Sequence, residues 1–372
     1  MTGLIHKLES ALDLQQDPLR EKREVYLYGA GTTGQDVIRL LNGKGINVLA
    51  VLDSKSALQS LDGIPVLRPN DGRFSESERG QALVVMGIFN AFVPMPRLLT
   101  ELYAMGWKNI TGFLELHRYN SDALGDRYWL TTPMYYQRTS SLWQDAKGIW
   151  DDEESRGLYE SILKFRFTGN YDDAPVPNSD TQYCPCNLPR WNSKLRFIDC
   201  GAFDGDTLEG IGREGYSFDA VAVFEPDAAN LRKLAGRILE LAPSASPAIL
   251  WPCGVFSGIT QLRFASGKGA GSSINRGGET VVQCISIDEA LSDFKPNLIK
   301  MDIEGAELDA LLGARKTIEK HRPSLAICVY HHPAHLWQIP NLIKSWNLDY
   351  KLYLRAHCYN GFDVVMYAVP NQ

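Results

Sequence analysis

Two well-separated stretches of this chain run through apolar residues to an acid and then turn through glycine into a helical pattern. One reads Phe197-Ile198-Asp199-Cys200-Gly201-Ala202-Phe203-Asp204-Gly205-Asp206-Thr207, the other Leu298-Ile299-Lys300-Met301-Asp302-Ile303-Glu304-Gly305-Ala306-Glu307. Open α/β sheets bind ligands in a crevice at the carboxyl ends of their strands, where such turns stand. The two stretches are therefore expected at one edge of a single doubly wound sheet.

The surrounding sequence supports that expectation. From residue 195 onward, strand-like runs end at Cys200, Glu225, Phe256, Asp302 and Tyr330, with helical patterns after the first, second, fourth and fifth. Such alternation predicts a parallel sheet. Residues 350–356 and 362–369 flank Tyr359-Asn360-Gly361, and Asn-Gly is the strongest short-range hairpin signal, so the sheet is expected to end antiparallel. Residues 261–264 and 280–287 read as an extra hairpin. The glycine- and serine-rich segment 266–278 joining them is long enough to be functional.

A chain of 372 residues exceeds one ordinary domain. Residues 1–117 are expected to form a first domain. A strand at 24–28 leads into Gly29-Ala30-Gly31-Thr32-Thr33-Gly34, then a helix carrying Val37, Ile38, Leu40 and Leu41, then a strand at 48–52 that ends at Asp53. This is the dinucleotide fingerprint in its context, with Gly29, Gly31, Gly34 and Asp53 as candidate contacts to a nucleotide or nucleotide-sugar. The alternative is a glycine turn that only passes the chain tightly from strand to helix. Further strands are expected at 82–86 and 109–114 and a helix at 95–105. Residues 24–116 resemble the small Rossmann-like domains found beside sugar-modifying transferases.

Residues 118–194 form an expected connector, first aromatic (Tyr128, Trp129, Tyr135, Tyr136, Trp143, Trp150), then rich in Pro, Asp and Asn. Within it, 151–165 reads as an amphipathic helix with Leu158, Ile162, Leu163 and Phe165 apolar and acids in its first turn. It either caps a cofactor pocket or only links the domains. Residues 195–372 are the third part.

Composition narrows the partners. With 38 basic and 44 acidic residues the net charge is −6, which offers no nucleic-acid-binding face. No apolar run is long enough for a membrane span and the first twenty residues lack signal-peptide order, so a cytosolic protein is expected. Cys200, Cys253, Cys284 and Cys328 lie in apolar runs and read as reduced core residues. Cys184-Pro185-Cys186 has no second Cys/His pair at zinc-site spacing and is read as a loop. No metal site is assigned. The sequence leaves open whether the chain forms a homo-oligomer.

The two glycine loops differ in charge. Gly29 to Gly34 is neutral and could receive a pyrophosphate at a helix N-terminus. The later loop carries Asp199, Asp204 and Asp206, which would repel a pyrophosphate and suit a ligand with a sulfonium and an α-ammonium group. Glu225, at the end of the next strand, can accept hydrogen bonds from two adjacent ribose hydroxyls.

On these residues, together with Phe224-Glu225-Pro226-Asp227, Asn230, Leu231, Ser272-Ser273, 285–291 with Asp288, Leu312-Gly313-Ala314 and Arg322-Pro323, residues 182–369 resemble the FkbM family of methyltransferases. The most specific part is Lys300 to Glu307. Phe203-Asp204 departs from the Ala-Asn of many members. The resemblance implies the class I methyltransferase doubly wound sheet with its C-terminal antiparallel hairpin. It also implies S-adenosyl-L-methionine as methyl donor and O-methylation of a sugar, glycan or natural-product hydroxyl. The cofactor-side candidates are Asp199, Gly201, Ala202, Asp204, Gly205, Thr207, Glu225, Pro226, Ser273 and Asp302.

Methyl transfer to a hydroxyl is an in-line displacement, so alignment does much of the work and a base adds to it. The acceptor-side candidates are Asp302, Glu304 and His331, with His332 and His335 beside them. Asp302 could instead cap an expected helix at 306–318. Glu304 and Glu307 could share a helix face, and strand parity makes a Lys300–Asp302 pair plausible. Two other readings compete. One is an NAD-dependent oxidoreductase acting through the first domain, for which no catalytic Tyr-x-x-x-Lys is found. The other is a non-catalytic nucleotide-sugar-binding scaffold.

Overall fold

The computed structural model describes residues 16–178, 180–265, 273–274 and 280–371. The chain divides into two units: one reaches to Ser140 and takes in Glu160–Val176 and Cys358–Phe362, and the other comprises Ser141–Tyr159, Pro177–His357 and the residues from Asp363 onward.

The first unit is built on a six-stranded sheet. Its centre is β1 (Val25–Tyr28), flanked in parallel by β2 (Val48–Leu52) and, on the other side, by a later strand at Leu83–Met86. Beyond β2 come β3 (Ser60–Leu61) and β4 (Ile64–Leu67), and beyond β5 (Leu83–Met86) comes β6 (Asn109–Thr111), giving the order β3-β4-β2-β1-β5-β6. All pairs are parallel except β3–β4. That small pair has no apolar run to announce it; Asp62 and Gly63 take left-handed backbone to turn it. The strand expected at 109–114 stops at Thr111, because Gly112 opens the helix Phe113–Leu124. The secondary structure therefore continues past His117.

The second unit holds β7 (Lys194–Cys200), β8 (Ser217–Phe224), β9 (Ala248–Trp251), β10 (Gly254–Val255), β11 (Thr260–Ala265), β12 (Ser273–Ile274), β13 (Thr280–Ile285), β14 (Leu298–Met301), β15 (Ser324–Cys328), β16 (Tyr350–Ala356) and β17 (Val364–Pro370). Seven of them form one sheet in the order β16-β17-β15-β14-β7-β8-β9. β15, β14, β7, β8 and β9 are mutually parallel, while β17 runs antiparallel to both β15 and β16. The turn between the last two strands carries Asn360 in left-handed backbone, where Asn is tolerated. A smaller sheet orders β10-β13-β11-β12, with β11 antiparallel to β13. The run expected to end at Phe256 is thus split: β9 joins the large sheet and β10 the small one, with Pro252, which has no N–H for a ladder, between them. Most of segment 266–278 lies outside the described residues.

Strand β14 is wholly buried and β15 nearly so, which is how a parallel strand covered on both faces reads in sequence. β16 is the terminal strand on that side. Its open edge is met by residues leading into the helix Glu153–Thr168: Leu352 exchanges hydrogen bonds with the Asp151 backbone N–H and carboxylate, and Leu354 N donates to Ser155 Oγ at 2.8 Å. An edge covered in this way is closed to pairing with another strand. Buried Arg355 reinforces the contact through Asp152 at 2.7 Å and Ser155 Oγ at 2.9 Å. Among the described residues no helix is long and apolar enough to cross a membrane.

Candidate active site

Register brings the site together. Cys200 pairs with Phe224 and with Met301, and Met301 with Ile327. The parallel strands β7, β8, β14 and β15 therefore end at one edge, and the segments after them carry Gly201 to Thr207, Glu225, Asp302 to Glu307 and His331.

The loop after β7 is shaped by glycine. Gly201 has φ +84°, and a Cβ there would overlap the Asp302 carbonyl oxygen, so the ends of β7 and β14 approach as only glycine permits. The Gly201 and Ala202 N–H groups both donate to Phe224 O, and Gly205 N donates to Ala202 O. Gly205, at φ +93°, packs against Leu241 and Leu234 and opens the helix Asp206–Arg213, where Asp206 Oδ1 accepts from Thr207 N at 2.7 Å. Asp204 lies 3.8 Å from Arg237. Replacing Gly201 by Ala is expected to cost about 2 kcal/mol or more, from the left-handed backbone and the overlap together; urea unfolding with a loss below about 0.5 kcal/mol would contradict this packing.

Asp199 is fully buried. Its Oδ1 is 2.9 Å from Lys300 Nζ, which also donates to Gly201 O at 2.6 Å and sits 5.5 Å from the centre of the Tyr183 ring. Burial pushes the Asp199 carboxyl up and Lys300 pulls it back; burial opposes the charge on Lys300, but Asp199 prevails and holds the ammonium well above its ordinary range. Lys300 is directly opposite Asp199 in the β14–β7 register and forms its ion pair there, while the nearby Asp302 charge adds to what holds the ammonium.

Glu225 is buried, and each of its oxygens accepts one backbone N–H: Phe203 at 2.9 Å and Asp227 at 2.8 Å. Phe203 takes φ 48° to make its bond. Burial pushes the Glu225 carboxyl up to about 7, against the pull of those two N–H groups. A carboxylate offers about four acceptor positions, which leaves room for two further donors. Pro226 lies between Glu225 and Asp227, and Asp227 caps the helix Ala228–Leu241. Ser273 belongs to β12, and its side chain lies outside the described residues, as does Ser272.

The segments after β14 and β15 form the most charged cluster. Asp302 Oδ2 accepts from Tyr183 Oη at 2.9 Å, and its Oδ1 is 3.3 Å from His331 Nε2. Glu304 Oε2 is 3.6 Å from the same nitrogen. On the other side of the ring, His331 Nδ1 is 2.7 Å from Glu307 Oε1, and His335 Nδ1 is 3.2 Å from Glu307 Oε2. Burial disfavours charge on His331, yet Glu307, Glu304 and Asp302 outweigh it and hold the ring up at about 10. Burial raises Glu307 too, but the two histidines bring it well below the usual carboxylate range. Glu304 is pushed by burial up to about 8, with His331 opposing and Asp302 adding to the rise. Its backbone is left-handed at φ 54°, a conformation that costs a glutamate and marks functional sites.

Asp302 is not a helix cap. The helix expected at 306–318 begins at Glu307 with Ala306 as its N-cap, and it breaks into Glu307–Leu312 and Arg315–His321. The break falls at Gly313, whose absent Cβ lets the chain pack on the Phe256 carbonyl. The sequence reading gave Glu307 no bond to the histidines and did not include Tyr183, which lies in the connector and has no local pattern to mark it. Among the described residues no group of three or more His, Cys, Asp or Glu is arranged to hold a metal ion, and all seven cysteines are free thiols.

In the first unit, Asp53 is engaged by its own loop. Its Oδ2 accepts from Ala30 N at 3.0 Å and its Oδ1 from Lys55 N and Ser56 N, both at 2.7 Å. Gly29, at φ +112°, lies against Gly87, and a Cβ on Gly34 would overlap the Gly29 carbonyl oxygen. Around Gly31 there is open space. Gly29, Gly34 and Asp53 thus all serve the strand-to-helix turn itself, and the geometry adds nothing to a nucleotide reading.

One edge of this α/β sheet gathers the glycine loop after β7, the buried Glu225 and the acid–histidine cluster after β14 and β15. Residues 199–357 match the family model of the methyltransferase FkbM domain. The chain is similar along 99% of its length, and 98% of the other, to the crystal structure of a methyltransferase FkbM from Methylobacillus flagellatus KT, with a TM-score of 0.77 and 23% identity. That likeness concerns the mixed α/β fold with its several sheets. An rRNA methylase from Streptococcus thermophilus aligns over 49% of the chain and 90% of its own at 12% identity, with a TM-score of 0.29 that carries no argument. No curated protein matches the sequence.

Proposed function

We propose that the protein is an S-adenosyl-L-methionine-dependent O-methyltransferase of the class I type, acting on a hydroxyl of a sugar, glycan or related small molecule. The observation that carries the proposal is the placement of Glu225 and of the Asp302–Glu304–His331 cluster at the same sheet edge. The strand order, with five parallel strands closed by an antiparallel pair, supports the class I assignment. Glu225 fits the donor: its two backbone bonds leave two acceptor positions for adjacent ribose hydroxyls. Space at Gly305, where a Cβ would meet nothing, lies next to the acidic cluster. When bound, the donor would supply an electrophilic methyl group on a sulfonium.

On the acceptor side, Asp302 is held by Tyr183 and faces His331, so it can orient a hydroxyl by accepting its hydrogen bond. Glu225 would hold the donor, which would supply the methyl group to the acceptor oxygen and keep the electron pair of its carbon–sulfur bond. The hydroxyl proton passes to Glu304, whose elevated pKa suits it to take a proton near neutral pH. Asp199 and Lys300 act behind the surface, fixing the Gly201 turn. The partner proposed is a small-molecule or glycan acceptor, and neither nucleic acid nor a membrane surface is invoked.

The test is to incubate the protein with S-adenosylmethionine and a series of hydroxylated sugars and glycans, following S-adenosylhomocysteine release and the acceptor's mass. Product dependent on acceptor is expected. S-adenosylmethionine binding without any S-adenosylhomocysteine, against a broad acceptor series, would favour the scaffold reading. Acidification is expected to weaken donor binding as Glu225 protonates through about pH 7, because a neutral carboxyl loses part of its acceptor capacity; a calorimetric affinity constant from pH 8 to 6 would contradict it.

A further inference from the structure

One carboxylate ties together both segments that form the acceptor side. Glu307 is fully buried at the start of the helix Glu307–Leu312. Its Oε1 accepts from Ile303 N at 2.9 Å and lies 2.7 Å from His331 Nδ1. Its Oε2 accepts from Gly305 N at 3.1 Å and lies 3.2 Å from His335 Nδ1. Ile303 and Gly305 flank Glu304, so two of these contacts fix the backbone that holds Glu304 at φ 54°. The other two fix the histidines that follow β15. Two backbone N–H groups and two imidazole nitrogens converge on this one buried carboxylate, more than a helix start needs.

We infer that Glu307 is a positioning residue, acting through His331 and Glu304 to set their orientation and to hold the proton on His331 Nδ1, an inference that rests on the methyltransferase reading only for its effect on rate. With Nδ1 donating to Glu307, the His331 ring is turned so that Nε2 lies 3.3 Å from Asp302 and 3.6 Å from Glu304. The groups facing His331 are Glu307 from the helix after β14, Asp302 and Glu304 from the loop before it, and the Tyr330 ring, whose centre is 4.1 Å away. Glu304 is faced in turn by Asp302, Glu307 and Asp363.

The experiment is nitrogen-15 NMR of the histidine rings in the full chain, with His331 assigned from His331→Gln. In the wild type, His331 Nδ1 is expected to carry a proton over the whole neutral range, in slow exchange and shifted downfield by its bond to a carboxylate. A His331 ring whose Nδ1 is unprotonated at neutral pH would overturn the inference, and this measurement needs no variant of Glu307. In Glu307→Gln, the His331 titration midpoint is expected to fall by about one pH unit or more, since an opposite charge at this range supports that much. A folded Glu307→Gln protein with an unchanged midpoint would likewise overturn it. With an acceptor in hand, the same variant is expected to lose on the order of 10- to 10⁴-fold in kcat, with donor affinity at Glu225 unchanged. The NMR arms are independent of any activity, so an inactive wild type would count against the proposed function and leave the positioning role judged by the rings.

Discussion

Replacing Lys300 by Met is expected to destabilise the protein by about 3–5 kcal/mol, the usual cost of leaving a buried charge without its partner. Lys300 is buried in the central strand β14, and Asp199 opposite it on β7 is fully buried, with their charged atoms 2.9 Å apart. Without the ammonium, Asp199 must either stay ionised in an apolar interior or take up a proton. Its carboxyl then sits further above its unfolded value, and a raised carboxylate contributes stability that is present at low pH and lost as pH rises through the folded pKa. The deficit of Lys300→Met is therefore expected to grow from pH 5 to 8. Lys300→Met combined with Asp199→Leu should recover much of the loss, because apolar residues of similar size replace buried ion pairs at little cost. Urea unfolding of the three variants decides the matter. A loss below about 1 kcal/mol in the single variant would show that the pair does not hold the sheet edge.

Glu304→Gln is expected to lower kcat by about 10²- to 10⁴-fold, the ordinary contribution of a positioned base, and to leave donor affinity unchanged. The amide keeps the size and one acceptor oxygen but cannot take the hydroxyl proton. In the wild type kcat should rise with pH through about 8, as burial makes the Glu304 carboxyl ionise late. That pH limb should be absent from Glu304→Gln. Stability should move the other way: ionising Glu304 in the folded protein is unfavourable, so the variant is expected to be more stable than wild type above pH 8 and to lose that advantage at lower pH. A variant with wild-type kcat and an unchanged pH limb would transfer the base role to another group.

The strands were the legible part of this molecule, because buried parallel strands read as apolar runs and their ends as acids followed by glycine. Asp199, Glu225 and Asp302 were found that way, and register gathers the segments that carry them at one edge. What each acid does was less legible. Parity placed Lys300 on the same face as Asp302, but the neighbour across the ladder, Asp199, is set by register, which no local pattern encodes. The break of the helix after Glu307 depends on Gly313 meeting the Phe256 carbonyl, a contact with a residue far earlier in the chain. Tyr183 reaches Asp302 from a connector without periodicity. Asp53 stood where a ribose-reading acid would, and three backbone N–H groups of its own unit donate to its oxygens. For Lys300, Gly313 and Tyr183 the missing information was an approach between residues far apart in the chain.

The most direct measurement is a calorimetric titration of the full chain and of Glu225→Ala with S-adenosylmethionine and S-adenosylhomocysteine, with NAD and a UDP-sugar in parallel. The account expects saturable binding of the first two to the wild type and its loss or marked weakening in Glu225→Ala, with the variant folded. Binding of only NAD or the UDP-sugar, or donor binding untouched by the loss of Glu225, would contradict it.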